Sequence, residues 1–157
     1  LLEKALSLSY HRAPYPKSLG NDWVQGHLLP IYASHPAAVE DRLHTACWQV
    51  AHSIDDSIHA IAKNAVLPPP PHTMLVTGGG AFNTFLVDCI RAKCGKNRSL
   101  AVEVPGAQAV DYKEAILMAL MGALRLEGLP NTLPSVTGSP SATSGGGLHL
   151  PPPLHNQ

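Results

Sequence analysis

Met74-Leu-Val-Thr-Gly-Gly-Gly-Ala-Phe-Asn83 runs a short apolar stretch into three consecutive glycines and then into a helix cap. Glycine has no Cβ, so it enters left-handed and mirror-β dihedrals at little steric cost and lets an outside group lie against the main chain. Asn83 is a favourable N-cap, and Phe85, Leu86, Cys89 and Ile90 follow at helical spacing. The glycines therefore open onto free N–H groups at the positive end of a helix dipole. Strand, glycine turn and helix in that order suit a nucleotide. A tight turn holding no ligand is the competing reading, because neither standard phosphate motif fits. The chain has no G-x-x-x-x-G-K-[ST], and no acidic residue stands about twenty positions on in a G-x-G-x-x-G frame.

The segments on either side extend the pattern. Before the triplet, Leu43, Cys47, Val50, Ile54, Ile58 and Ile61 step by three and four, which predicts a long helix over 34–64 with its start signalled by Ser34 and Pro36. A short buried strand is expected over 74–77 and a second strand over 100–104, after a turn at Gly95-Lys-Asn-Arg98. A last helix over 111–127 closes at Gly128, with Pro130 just beyond. Strand, helix, strand, helix indicates an α/β layer with a parallel pair joined through the Asn83 helix. Towards the start, Asn21 and Asp22 are expected to cap a short helix over 23–29 that ends before Pro30. The organisation is thus a lead-in over 1–33, an α/β lobe over 34–150 and a disordered tail over 151–157.

Composition removes several function classes. Eleven basic and eleven acidic residues cancel, so there is no bulk electrostatic case for nucleic acid or an anionic membrane. No window reaches the eighteen apolar residues of a membrane span. Apolar residues make up 45% of 157 and mean hydropathy is near zero, as in soluble globular chains. Three cysteines, Cys47, Cys89 and Cys94, lack zinc-like spacing and are read as reduced thiols in a cytoplasmic protein. The chain opens Leu-Leu-Glu-Lys, as if mid-element, and is read as a piece of a longer protein.

Candidate chemistry is sparse. His52, Asp55, Asp56 and His59 share one face of the long helix and are read as its solvated polar face rather than a metal site. Cys47 falls on the apolar stripe and is read as a packed thiol. Glu114 follows Asp111 and Lys113 at the expected start of an apolar helix, where the dipole stabilises an acidic side chain.

Three segments taken together carry a family resemblance. Pro16-Lys-Ser-Leu-Gly20 precedes Asp22-Trp-Val24; Val76-Thr-Gly-Gly-Gly-Ala-Phe-Asn83 follows; then Asp111-Tyr-Lys-Glu-Ala115 leads into Leu129-Pro-Asn-Thr-Leu-Pro-Ser-Val-Thr-Gly138. Their order and spacing resemble the C-terminal portion of the anhydro-N-acetylmuramic acid kinase family. The resemblance implies the C-terminal lobe of an actin-like, hexokinase-like ATPase fold of ribonuclease H-like topology, incomplete in this chain. It implies an ATP-dependent, Mg²⁺-requiring kinase that opens 1,6-anhydro-N-acetylmuramic acid with water and phosphorylates O6, in cell-wall sugar recycling. It places adenosine against Gly78, Gly79, Gly80 and Asn83, makes Glu114 a supporting acid/base or water-positioning group, and suggests a homodimer. Family members also carry a Gly-x-Ser-x-Asp phosphate loop and a catalytic aspartate in an Asp-x-Gly-Pro segment. Neither occurs here, so Mg²⁺ and the phosphates would be held mainly by other chain, and this piece alone would be inactive. Phe82 stands where many relatives have histidine. A non-catalytic nucleotide-binding module and another sugar kinase of the class stay open as alternatives.

Overall fold

The computed structural model describes residues 1–14, 17–64, 69–95 and 100–149. They divide into two compact units, Leu1–Gly106 and Ala107–Gln157.

The first unit is built around one long helix. Helix α5 (Val39–Asn64) packs along α6 (Thr84–Cys94), and a two-stranded parallel sheet of β1 (His72–Leu75) and β2 (Leu100–Glu103) flanks them. The strand–helix–strand order and the parallel pairing are as the sequence predicts, in the register His72↔Leu100 to Leu75↔Glu103. Ala51, Cys89, Ile90 and Cys94 are buried together, with Trp48, Ile54, Met74 and Val102 packed around them. The fully enclosed Ala51 lets the two helix backbones approach closely, and Ile90 fills the space beside it. Cys47 packs against this cluster, as its place on the stripe predicts. Burial pushes the Cys89 thiol up, with Cys47 and Asp88 adding to the effect.

Three expectations need correction here. Asp55 is buried, not solvated. It lies between the helices, 3.9 Å from Lys93 Nζ of α6 and 3.6 Å from His59 Nδ1 one turn on. The periodicity of α5 shows which residues face away from its main stripe, but not that α6 supplies a cation opposite one of them. Second, β1 alternates between exposed and half-buried residues, with Leu75 exposed, because only one of its faces meets α6 and α5. Third, helix does not stop before Pro30. It runs from α3 (Asn21–Trp23) through a wider π turn at Val24–Leu28 into α4 (Leu29–Ala33), where Pro30 occupies the first turn. Proline lacks only an N–H that is unpaired at a first turn in any case, and the π turn reopens the ladder there. Asn21 and Asp22 lie inside α3, which starts after Gly20 without a side-chain cap. The start of α5 at Val39, later than Ser34, follows a turn in which His35 Nδ1 accepts the Ala37 N–H at 3.2 Å.

Ahead of these, α1 (Leu2–Leu6) and α2 (Ser9–Arg12) bring the N-terminal segment onto α5. His11 is held by α5 through a closed ring. Ser53 Oγ donates to the Gln49 carbonyl (3.0 Å), so it accepts from His11 Nδ1 (3.4 Å), which leaves His11 Nε2 to accept from Gln49 Nε2 (3.4 Å). The ring requires a neutral imidazole. Burial lowers the His11 pKa, Lys17 lowers it further and Asp56 opposes the shift. Below the ordinary histidine pKa the unfolded chain therefore binds more protons than the folded one. Stability is fully present above that pKa and is lost as pH falls through the folded value. Urea melts from pH 7.5 down to pH 5 are expected to show this loss, and a His11→Asn variant should show less of it.

The second unit consists of α7 (Ala107–Leu126), a left-handed Gly128 and a loop carrying α8 (Pro134–Thr137). The loop is stitched at its base. Asn131 Nδ2 donates to the Met121 and Gly145 carbonyls, its Oδ1 accepts the Gly145 N–H at 2.7 Å, and Thr132 Oγ1 donates to the Thr143 carbonyl. Ser135-Val-Thr-Gly138 thereby stands at a closed loop's tip, with Val136 exposed. Helix α7 begins four residues before Asp111, so its first turn holds no acidic residue. The helix dipole therefore does not stabilise Glu114, since that stabilisation fades beyond the first turn. The expected 95–98 turn lies partly, and the 151–157 tail wholly, outside the described residues.

Candidate functional site

The glycine turn sits where β1 leaves the sheet. Val76 N–H donates to the Glu103 carbonyl (2.9 Å), which extends the ladder by one residue and pins the start of the turn to the end of β2. Gly78 then adopts φ +80°, ψ 179°, a conformation that only glycine enters without strain. From Gly79 to Phe82 the chain forms one 3₁₀ turn, closed by the Ala81 N–H on the Gly78 carbonyl (2.9 Å) and the Asn83 N–H on the Gly80 carbonyl (3.1 Å). Ala81 is buried and anchors it.

Asn83 caps α6 as expected: its Oδ1 accepts the Leu86 N–H at 3.0 Å. Asn83→Ala should cost about 1 kcal/mol in urea denaturation, the usual value of a lost cap.

Gly78, Gly79, Gly80 and Asn83 are thus brought together on one turn, but the three glycines differ. Gly78 is glycine because its backbone demands it. At Gly80 a Cβ would meet Leu86 Cδ2 at 3.6 Å, an ordinary contact. Gly79 has no positive φ, and a Cβ placed on it meets nothing within 4 Å. Nothing inside the fold requires glycine there. Among the described residues no partner occurs for the N–H groups of Gly79 and Gly80, the first two of the turn. An open cradle with two available donors is what a ligand lying on backbone needs. Phe82 is exposed on the same turn.

Glu114 lies in the other unit, exposed on α7. Among the described residues no group of three or more His, Cys, Asp and Glu side chains is placed to hold a metal, and no helix is long and apolar enough to cross a membrane.

A profile of the anhydro-N-acetylmuramic acid kinase family matches residues 1–151. The chain belongs to that family. Among relatives, the anhydro-N-acetylmuramic acid kinase of Gloeobacter violaceus is 33% identical over 154 residues, covering 94% of this chain and 38% of its own length. That of Acaryochloris marina is 30% identical over 96% of this chain and 39% of its own, and that of Rhodococcus erythropolis 30% over 94% and 36%. The chain therefore spans under two-fifths of the length of the curated anhydro-N-acetylmuramic acid kinases it matches.

Proposed function

We propose that this chain forms the adenosine-holding lobe of an ATP-dependent kinase that converts 1,6-anhydro-N-acetylmuramic acid, with water, to N-acetylmuramic acid 6-phosphate. On this reading the unit of α5, α6 and the parallel pair belongs to the C-terminal lobe of an actin-like, hexokinase-like fold. One observation carries it: in a chain of this family, Gly79 is a glycine that its own fold does not need, open on the side where a base or ribose would lie. Gly78 turns the backbone, Gly79 and Gly80 present their N–H groups to acceptors of the nucleoside, and Asn83 fixes the turn to α6.

ATP, when bound with Mg²⁺, supplies the phosphoryl group. Glu114 is assigned the orientation of water or sugar near the reacting centre, a role expected to lower kcat in Glu114→Gln of the complete kinase while leaving ATP affinity unchanged. The phosphate loop and the catalytic aspartate are not in this sequence, so the chain alone should hold nucleotide without turning it over. The homodimer finds no support in the fold or the comparisons and is not part of the proposal.

The test is an ATP titration of the 157-residue chain followed by amide NMR. Saturable shifts are expected at Gly79 and Gly80, and an ADP-release assay with the anhydro sugar should stay silent. A folded chain whose glycine amides do not respond to millimolar ATP would sink the reading.

A further inference from the structure

A second feature stands apart from the glycine turn. Between the N-terminal segment and α5 lies a cleft of about 760 Å³, within the size range of small-molecule sites. Leu19, Val24 and Leu28 line it from the segment, and Val50, Ile54 and Ile58 from α5. Among the described residues its charged groups are Lys17 and Asp56, one of each sign. The Lys17 ammonium donates to the Tyr10 and His11 carbonyls and lies 4.8 Å from the centre of the Tyr10 ring. Tyr10 in turn packs against Trp23, which gives the cleft wall a rigid aromatic backing.

Gln49 sets this cleft apart from a bare apolar groove. It lines the cleft and is only 6% exposed, yet its amide is poorly paired. Nε2 makes two long contacts, 3.4 Å to His11 Nε2 and 3.5 Å to Ser53 Oγ, and among the described residues Oε1 accepts no hydrogen bond at all. Nor is Oε1 sealed from solvent, since it is not among the fully enclosed atoms left without a partner. An amide oxygen open to the cleft and without a donor among the described residues takes its hydrogen bond from whatever fills the cleft. The neutral His11 ring and Ser53 hold the Gln49 amide in place.

We propose that this cleft binds an uncharged, flat, mostly apolar molecule that donates an N–H to Gln49 Oε1. The ring of the ligand lies between the Leu19–Val24 and Val50–Ile54 walls, and Lys17 and Asp56, one of each sign, favour neither anion nor cation. A nucleobase lactam and an aryl carboxamide both carry this chemistry, and the two are separable by experiment. The cleft and the glycine turn share no residue, so the site does not depend on the kinase reading.

The test titrates the 157-residue chain, labelled with ¹⁵N, with benzamide and in parallel with uracil. Saturable shifts are expected at the Gln49 side-chain amide and at His11 and Ser53, and the stronger response of the two probes identifies the ligand class. N,N-dimethylbenzamide, which keeps the ring and loses the donor, should bind about tenfold more weakly, as should benzamide to Gln49→Met. Gly79→Val should bind benzamide as the parent does. Absence of a saturable response at Gln49 to both probes would overturn the proposal. So would equal affinity for benzamide and its dimethyl form, a comparison made on the parent chain and therefore independent of how the Gln49 variant folds.

Discussion

Gly79→Val is expected to abolish most nucleotide affinity while leaving the fold intact. Most glycine substitutions confound the two effects, but here they separate. The position has no positive φ and 4 Å of open space around a built Cβ, so a side chain meets nothing in the protein. Its effect on stability should be small and, for Gly79→Ala, favourable by about 0.4–1 kcal/mol, because alanine narrows the unfolded ensemble more than the folded one. A nucleoside seated on the turn would meet the new methyl groups directly. Overpacking of that kind costs about 1–3 kcal/mol, roughly fivefold to 150-fold in the dissociation constant for ATP. Gly78→Ala is the contrast. It should destabilise the chain, since φ +80° with ψ 179° strains any residue bearing a Cβ. Calorimetric titration with ATP beside urea melts of all three variants reads both axes. A Gly79→Val protein that is folded and binds ATP as the parent does would remove the glycine turn from the site.

Ile90→Ala should produce the largest loss of stability. Ile90 is 2% exposed at the centre of the α5–α6 contact, beside the fully enclosed Ala51 and Cys94. Removing its branched chain leaves a void that neighbouring helices cannot close without shifting. The usual cost is about 2–5 kcal/mol, a large part of the roughly 5–15 kcal/mol that holds an ordinary domain together. The urea midpoint should fall with the slope unchanged. Leu75→Ala, at a β1 position 62% exposed, should stay within about 0.5 kcal/mol of the parent.

The parts of this fold that are legible in the sequence are those set by local periodicity and by turn chemistry. The stripe from Leu43 to Ile61 marks α5 because an amphipathic helix must repeat at that spacing, and Asn83 marks the start of α6 because its side chain can satisfy an orphan N–H. Asp55 could not be placed the same way. Its burial depends on Lys93, thirty-eight positions later, arriving opposite it, and no local pattern encodes that. Pro30 misleads for a related reason: the proline rule assumes a regular helix, and the π turn before it relaxes the assumption. For Glu114 the helix boundary was the weak point, since Ala107 to Val110 carry neither a capping residue nor a charge to announce the earlier start. The glycine turn was visible as a motif. That Gly78 serves the backbone while Gly79 leaves a space is set by their dihedrals and neighbours, which three identical letters do not encode. The Gln49 cleft left almost no trace, because it joins residues from 10 to 60 through tertiary packing alone.

The register of the two strands also bears on the order of folding. His72 pairs with Leu100 across the whole of α6, so the first ladder contact must close a loop of twenty-eight positions before it returns any bond. Helices such as α5 draw on neighbours three and four residues away and form within about a microsecond, whereas ladder contacts of this separation wait on a chain search. The Val76–Glu103 bond, which seats the glycine turn, lies at the far end of that ladder. The turn is therefore expected to form late in folding. Substitutions in β2 that weaken pairing should slow its assembly in stopped-flow refolding, even where the helical signal returns at the parent rate.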